Sequence, residues 1–468
     1  MKRITRLFVV TMLAGLAGFA SGEETAGVRL PDFERVELDN GLVLLLMEKH
    51  DVPLIAFHGR IDGGAVADPA GKAGSSEIVA ELIQKGAGSR DALAFSQAID
   101  SVGGTLGATS SREALSIFGE FMARDRSLML ELLSDMLTQP SLDEGEFAKI
   151  RDRSVQQIAA AKDSNPNALI SAYFDALLFG DHPYGRNGDE TSLGKLTHGD
   201  VRAWFDANVG ADRTVLAFVG DFDAKELRKN VDKAFSSWRK AGGQVTKVKR
   251  TSPSKGRKVL LVDKPDATQT YFWLGNVGVA RDDADRVALD LANTAFGGRF
   301  TSMLNTELRI KSGLSYGARS YLGRERTPGT FAITSYTKTE STEEAIDLAI
   351  QVLGDLHTKG LDDETLSSVQ KYVAGQFPPR LETGDSLAER LTEIEFYGLD
   401  RSDVDDYGKT IGAVTADEIG SVIKRIYPTG DNLTFVLIGN ADAVREVAKK
   451  YGDVTEMKIT EKSFRPTS

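Results

Sequence analysis

Arg309 and Tyr316, seven positions apart, are the first side chains in this sequence whose types and spacing could do chemistry. They lie in GGRFTSMLNTELRIKSGLSYG, residues 297–317, which opens on two glycines and continues at helical spacing. Met303, Leu304, Leu308 and, at the margin, Ile310 are placed to face a core, while Arg299, Glu307 and Lys311 face water. Gly313 ends the helix. Arg309 therefore comes from a helix end and Tyr316 from the segment after it, so the two can converge on one point. A guanidinium and a phenol are donors suited to a peptide carbonyl or a developing oxyanion. In isolation the same spacing also describes a solvated arginine and a half-buried strand tyrosine.

Composition removes other chemistries. There is no Cys, which excludes disulfides, thiolate metal sites and cysteine nucleophiles. The net charge of -11 argues against nucleic acid or an acidic membrane surface as partner. The five histidines, His50, His58, His182, His198 and His357, are scattered over strand ends and loops, with no two at metal-ligand spacing. A chain of 468 residues, 41% hydrophobic and 27% charged, is ordinary for a globular protein and long enough for several domains. Lys2, Arg3 and Arg6, an apolar run over residues 7–16 and the small residues Gly18, Ala20, Ser21 and Gly22 read as a secretory signal peptide spanning residues 1–22. The apolar run is too short to cross a bilayer comfortably, and no later stretch reads as a span. The mature chain is expected to be soluble and periplasmic.

The elements that must position Arg309 and Tyr316 occur twice. In the first half, residues 23–239, FERVELDNGLVLLLM reads as a hairpin about Asn40-Gly41, followed by a strand ending near Asp62. Helices over residues 72–84 and 90–102, a strand over 113–122, paired helices over 124–137 and 143–161, and a further helix over 166–178 come next. A strand over 214–220 and a helix over 224–236 close the half. The second half, residues 259–468, replays this order. Anchoring Gly220 on Gly439 gives an offset of 439 minus 220, or 219, and Gly107 on Gly317 gives 210. Such agreement points to duplication of an α+β unit, an antiparallel sheet covered by helices. Residues 240–258, KAGGQVTKVKRTSPSKGRK, read as a charged, flexible linker.

With these elements in view, LRIKSGLSYG after GGRFTSMLNTEL resembles the carboxy-terminal half of the pitrilysin/insulysin family of zinc peptidases, in a short bacterial form similar to mitochondrial processing peptidases. The resemblance implies two duplicated domains facing each other as a clamshell around a polar chamber. It also implies that Arg309 and Tyr316 bind substrate beside a zinc held by another half or another subunit. Active members carry H-x-x-E-H, two zinc-binding histidines flanking a Glu that activates water. Alignment on Lys85-Gly86 puts Glu77 and Glu81 at the histidine positions and Ala80 at the catalytic Glu. Gln156 and Gln157 stand where the third ligand is expected. An alanine takes no proton from water, and a neutral amide is a poor zinc ligand. Glu77 and Glu81 read as a solvated helix face, with a weak Ca2+ or Mg2+ pair as the alternative. His182-Pro183-Tyr184-Gly185 reads as structural, and residues 103–111 resemble the family's edge strand for an extended substrate.

The amino half has thus lost the metal motif while the carboxyl half keeps the Arg/Tyr pair. The resemblance implies a non-catalytic subunit of a heterodimeric zinc endopeptidase, binding no cofactor itself. Its partners would be a homologous H-x-x-E-H subunit that holds the zinc and an unfolded peptide substrate. The alternative is an inert scaffold or peptide-binding protein of the same fold; activity alone through an unusual site and a peptide-capturing homodimer also remain open.

Overall fold

The computed structural model describes residues 28–466, so the expected signal peptide lies outside the described residues. The Asn40-Gly41 turn joins β1 (Glu34–Glu37) to β2 (Val43–Glu48) as an antiparallel hairpin, as the dipeptide predicts. β3 (Leu54–Asp62), β6 (Thr105–Ser110), β7 (Ala114–Met122) and β8 (Thr214–Gly220) complete a six-stranded sheet ordered β1-β2-β8-β3-β7-β6. Gly86–Ala87 (β4) and Arg90–Asp91 (β5) form a separate short ladder. In the second half, β9 (Lys258–Asp263), β10 (Gln269–Val277), β11 (Ala318–Arg324), β12 (Pro328–Lys338), β13 (Thr434–Gly439) and β14 (Val454–Lys458) form a sheet ordered β11-β12-β10-β13-β9-β14.

The two orders superimpose strand for strand, and the protein is a duplicated α+β clamshell. One edge differs. The amino-terminal β1 runs antiparallel to β2, whereas the carboxy-terminal β14 takes the matching place parallel to β9. The registers also correct one offset. Leu106 pairs with Gly119, Gly119 with Phe57 and Phe57 with Phe218. Ala318 pairs with Ser335, Ser335 with Phe272 and Phe272 with Leu437. Leu106 therefore corresponds to Ala318, an offset of 212, and Gly107 is out of step with Gly317 by one pleat repeat.

β2 and β8 are nearly continuous apolar runs because both of their faces are buried. Leu44, Leu46, Leu216 and Phe218 point into the first half's own core. The alternate residues Leu45, Met47, Val215, Ala217 and Val219 pack on a helix from the second half, Gly384–Tyr397. That helix begins where the Thr383 hydroxyl accepts from Ser386 N, and it presents Leu387, Ala388, Leu391 and Ile394 on one face. The converse also holds. The first-half helix Ile170–Phe179 lays Ile170, Tyr173 and Phe174 on Leu260, Val262, Val436 and Ile438 of the second sheet. Each sheet thus owes one of its covers to the other half.

Of residues 240–258, only Lys258, the first residue of β9, belongs to a helix or strand, but the segment is not free. Gly242 and Gly243 N donate to the carbonyls of Asp206 and Ala207 at 3.0 and 2.9 Å. Asn276, buried in β10, accepts from Ser254 N at 2.8 Å and donates to Ser254 O at 2.9 Å. The segment reads as flexible because its own composition offers no core residues; its partners all lie elsewhere in the chain.

Leu391→Ala, which empties the buried seat of the exchanged helix, is expected to cost about 2–5 kcal/mol. Hydrogen exchange should then show both sheets losing protection together. Loss confined to the first sheet would contradict the mutual covering.

Candidate functional site

Arg309 lies on a helical turn widened to π geometry, Thr306–Lys311, after the short helix Met303–Asn305 and an earlier π turn at Thr294–Gly298. The helical spacing is interrupted here by the two π turns; at the first, a β-carbon at Gly297 would sit 2.2 Å from Ser320 N of β11, so only glycine lets the turn approach the strand. Leu304 and Leu308 are buried as expected, whereas Ile310 is exposed. Gly313 takes φ +67° and redirects the chain. The segment beyond is pinned to β12. Thr337 Oγ1 donates to Leu314 O at 2.6 Å, and Ser335 Oγ donates to Gly317 O at 2.9 Å. Tyr316 is thereby held out with 72% of its surface accessible.

The structure brings the predicted pair together. The Arg309 guanidinium lies 4.3 Å from the Tyr316 ring centroid and 5.0 Å from that of Phe300. Stacking uses the faces of the guanidinium and leaves its N–H edge available to a planar acceptor.

The motif-equivalent stretch lies on the helix Ser75–Leu82. Ala80 is buried, a methyl group where the family places a base. Glu81 forms an ion pair with Arg153 of the helix Glu144–Ser164, and Gln156 and Gln157 on that same helix are exposed. The Arg153 guanidinium thus engages the carboxylate of Glu81, the position that the resemblance aligns with a zinc ligand. Glu77 is exposed and lines a cavity between the halves, whose surrounding atoms raise its pKa by desolvation. Among the described residues, no three His, Asp or Glu side chains gather closely enough to hold a metal ion. A carboxylate engaged by arginine, an alanine and two exposed amides do not fit zinc. The histidines stay apart. His58 lies within β3 beside Asp385, and His357 lies in a helix, so neither is at a strand end or loop as expected. β6 is an edge strand, although the Gln84 amide already donates to its Ala108 carbonyl at 2.9 Å.

The cavity facing Glu77, of about 650 Å3, lies between the halves and is polar. The Tyr184 hydroxyl of the HPYG turn donates to Glu113 at 2.6 Å, and Glu113 accepts from Arg326 N of the second half at 3.0 Å. Arg112 bridges Asp175 at 2.6 Å and Glu325 at 3.1 Å. HPYG is thus a joint between the halves. Asp68 was not legible as a functional position. It is buried and accepts from Gly74 N at 2.8 Å and Ser76 N at 2.9 Å, orienting the start of the Glu77 helix. Burial pushes its carboxyl up to about 7 despite those two donors.

The sequence matches two families over most of this architecture. Residues 56–187 match the family described as Insulinase (Peptidase family M16), and residues 195–373 match Peptidase M16 inactive domain. The chain belongs to the M16 (pitrilysin/insulinase) peptidase family. It is similar to an uncharacterized zinc protease of Streptomyces coelicolor, 26% identical over 374 residues that cover 78% of this chain and 80% of the relative. A non-peptidase homolog, YmxG, of Helicobacter pylori is 22% identical over 445 residues, covering 92% and 98%. Its fold is also that of a crystal structure titled peptidase M16 inactive domain from Pseudomonas fluorescens, with a TM-score of 0.81, 21% identity and coverage of 87% of this chain and 98% of that one.

Asp68 gives the fold a pH dependence. Its carboxyl is raised from an unfolded value near 4, so the stability it confers is fully present below that value and is lost as pH rises through about 7. Between pH 5 and pH 8 the native state should lose of order 2 kcal/mol from this group, and Asp68→Asn should flatten that part of the urea-denaturation profile. An unchanged profile in the variant would contradict the assignment.

Proposed function

We propose that this chain is a non-hydrolytic, peptide-binding member of the insulinase family, inert as a peptidase by itself. The observation that carries this is the Glu81–Arg153 ion pair beside Ala80, with a guanidinium engaging one ligand position and a methyl where water would be activated. Peptide binding is supported by Arg309 and Tyr316, stacked, accessible and unshared with any carboxylate in the walls of their pocket. Their donors suit a main-chain carbonyl of an extended peptide.

A second, finer reading is favoured by that accessibility: the chain is the non-catalytic subunit of a heterodimeric zinc endopeptidase. In it, Arg309 and Tyr316 hold the substrate in register while an H-x-x-E-H partner supplies zinc and base. The leader-like residues 1–22 support a periplasmic location for either form, with a mature domain pair over residues 23–239 and 259–468.

Arg309→Ala and Tyr316→Phe are each expected to weaken binding of an unfolded peptide to the purified chain by about tenfold, equivalent to ~1.4 kcal/mol, in fluorescence titration. In a mixture with an H-x-x-E-H homologue, the heterodimer reading predicts a matching fall in peptide hydrolysis. Unchanged binding together with unchanged hydrolysis would leave an inert scaffold as the function.

A further inference from the structure

The pocket around Arg309, about 630 Å3, has a charge pattern unlike the cavity between the halves. Arginines that line that cavity are paired with carboxylates: Arg112 with Asp175 and Glu325, Arg281 with Glu393, Arg324 with Asp290. The Arg309 pocket is lined by Arg299, Arg309 and Arg319 with Phe300, Tyr316 and Tyr372, and no Asp or Glu lines it. In a chain of net charge -11, three arginines converging without a carboxylate is a local inversion of sign. Among the described residues, none of the three forms an ion pair.

Their donors are also held open. Arg309 lies over the rings of both Phe300 and Tyr316, and among the described residues no carboxylate pairs with its N–H groups. Arg299 Nη1 donates to Ser368 Oγ at 3.0 Å, but its Nε is shielded from solvent and has no acceptor. Arg319 projects from β11 next to the buried Ala318 and Ser320, on the exposed side of the strand's alternation. The aromatic lining adds apolar area, since Phe300 and Tyr372 remain well exposed. A bare inorganic anion would leave that area unused, whereas a peptide offers carboxylates and aliphatic stems together. The volume lies within the range of roughly 300–1,000 Å3 typical of ligand clefts.

We infer that this pocket selects acidic peptides: Arg299, Arg309 and Arg319 receive the Asp or Glu carboxylates of an extended segment whose stems rest on Phe300, Tyr316 and Tyr372. The inference rests on the peptide-binding function proposed above and adds the class of ligand.

The test uses the full mature chain and two fluorescein-labelled unstructured peptides that differ only in carrying several Glu or the isosteric Gln. Anisotropy titration should show the Glu peptide binding at least about tenfold tighter, with an advantage that shrinks as salt rises. The double variant Arg299→Gln/Arg319→Gln should abolish the Glu peptide's advantage over the Gln peptide. If the double variant fails to fold by circular dichroism, Arg319→Gln alone, at an exposed edge position, should still remove part of the preference. Equal affinity for the two peptides, or a preference that survives loss of Arg319 and Arg299, overturns acidic selectivity and leaves peptide binding standing. Complete competition by millimolar inorganic phosphate shows an anion site without peptide selectivity and also overturns it. No binding of either peptide removes both this inference and the function beneath it.

Discussion

Burial of two exchanged helices fixes everything else in this molecule. The second-half helix Gly384–Tyr397 covers the outer face of the first sheet, and the first-half helix Ile170–Phe179 covers the outer face of the second. Neither sheet can lose its cover without exposing strands that are apolar on both faces. The constraint sets the distance between the halves and, with it, the polar cavity where Glu113, Arg112 and Tyr184 of one half meet Glu325, Arg326 and Thr327 of the other. It also brings Asn167, just before the Ile170–Phe179 helix, to the wall of the Arg309 pocket.

On this frame the two halves have diverged in opposite chemical directions. The first carries a buried alanine and the Glu81–Arg153 ion pair on the helix where the family's zinc motif is expected. The second keeps donors without acceptors: a stacked guanidinium, an exposed phenol and two further arginines. A site that has neutralised itself and a site left unneutralised are physically different things. The first contributes to the fold, and the second still has hydrogen-bonding capacity to give to a ligand.

Much of this was legible in the sequence because its signals are local. Asn40-Gly41, the alternation of residues 113–122 and the helical spacing before Gly313 each specify an element through a few neighbouring side chains. The structure carries Glu77, Ala80 and Glu81 on one helix, as their spacing predicts. β11 escaped notice because its inward residues, Ala318 and Ser320, are small, and β14 because only Met457 of its five residues is buried. The helix exchange was not legible, because an amphipathic helix does not say which sheet it covers. Arg153 sat in plain view beside Gln156, and its charge opposite Glu81 was the available signal. The Arg299–Arg319 pocket had none, as its members come from separate turns and an edge strand.

The proposed function requires that the stretch of Glu77, Ala80 and Glu81, with Arg153 paired to Glu81, holds no zinc. Equilibrium dialysis of the purified mature chain against micromolar zinc, followed by elemental analysis, tests it most directly. The account predicts far less than one zinc per chain, with no change on Glu81→Gln. One tightly held zinc per chain, released by that same substitution, would contradict it.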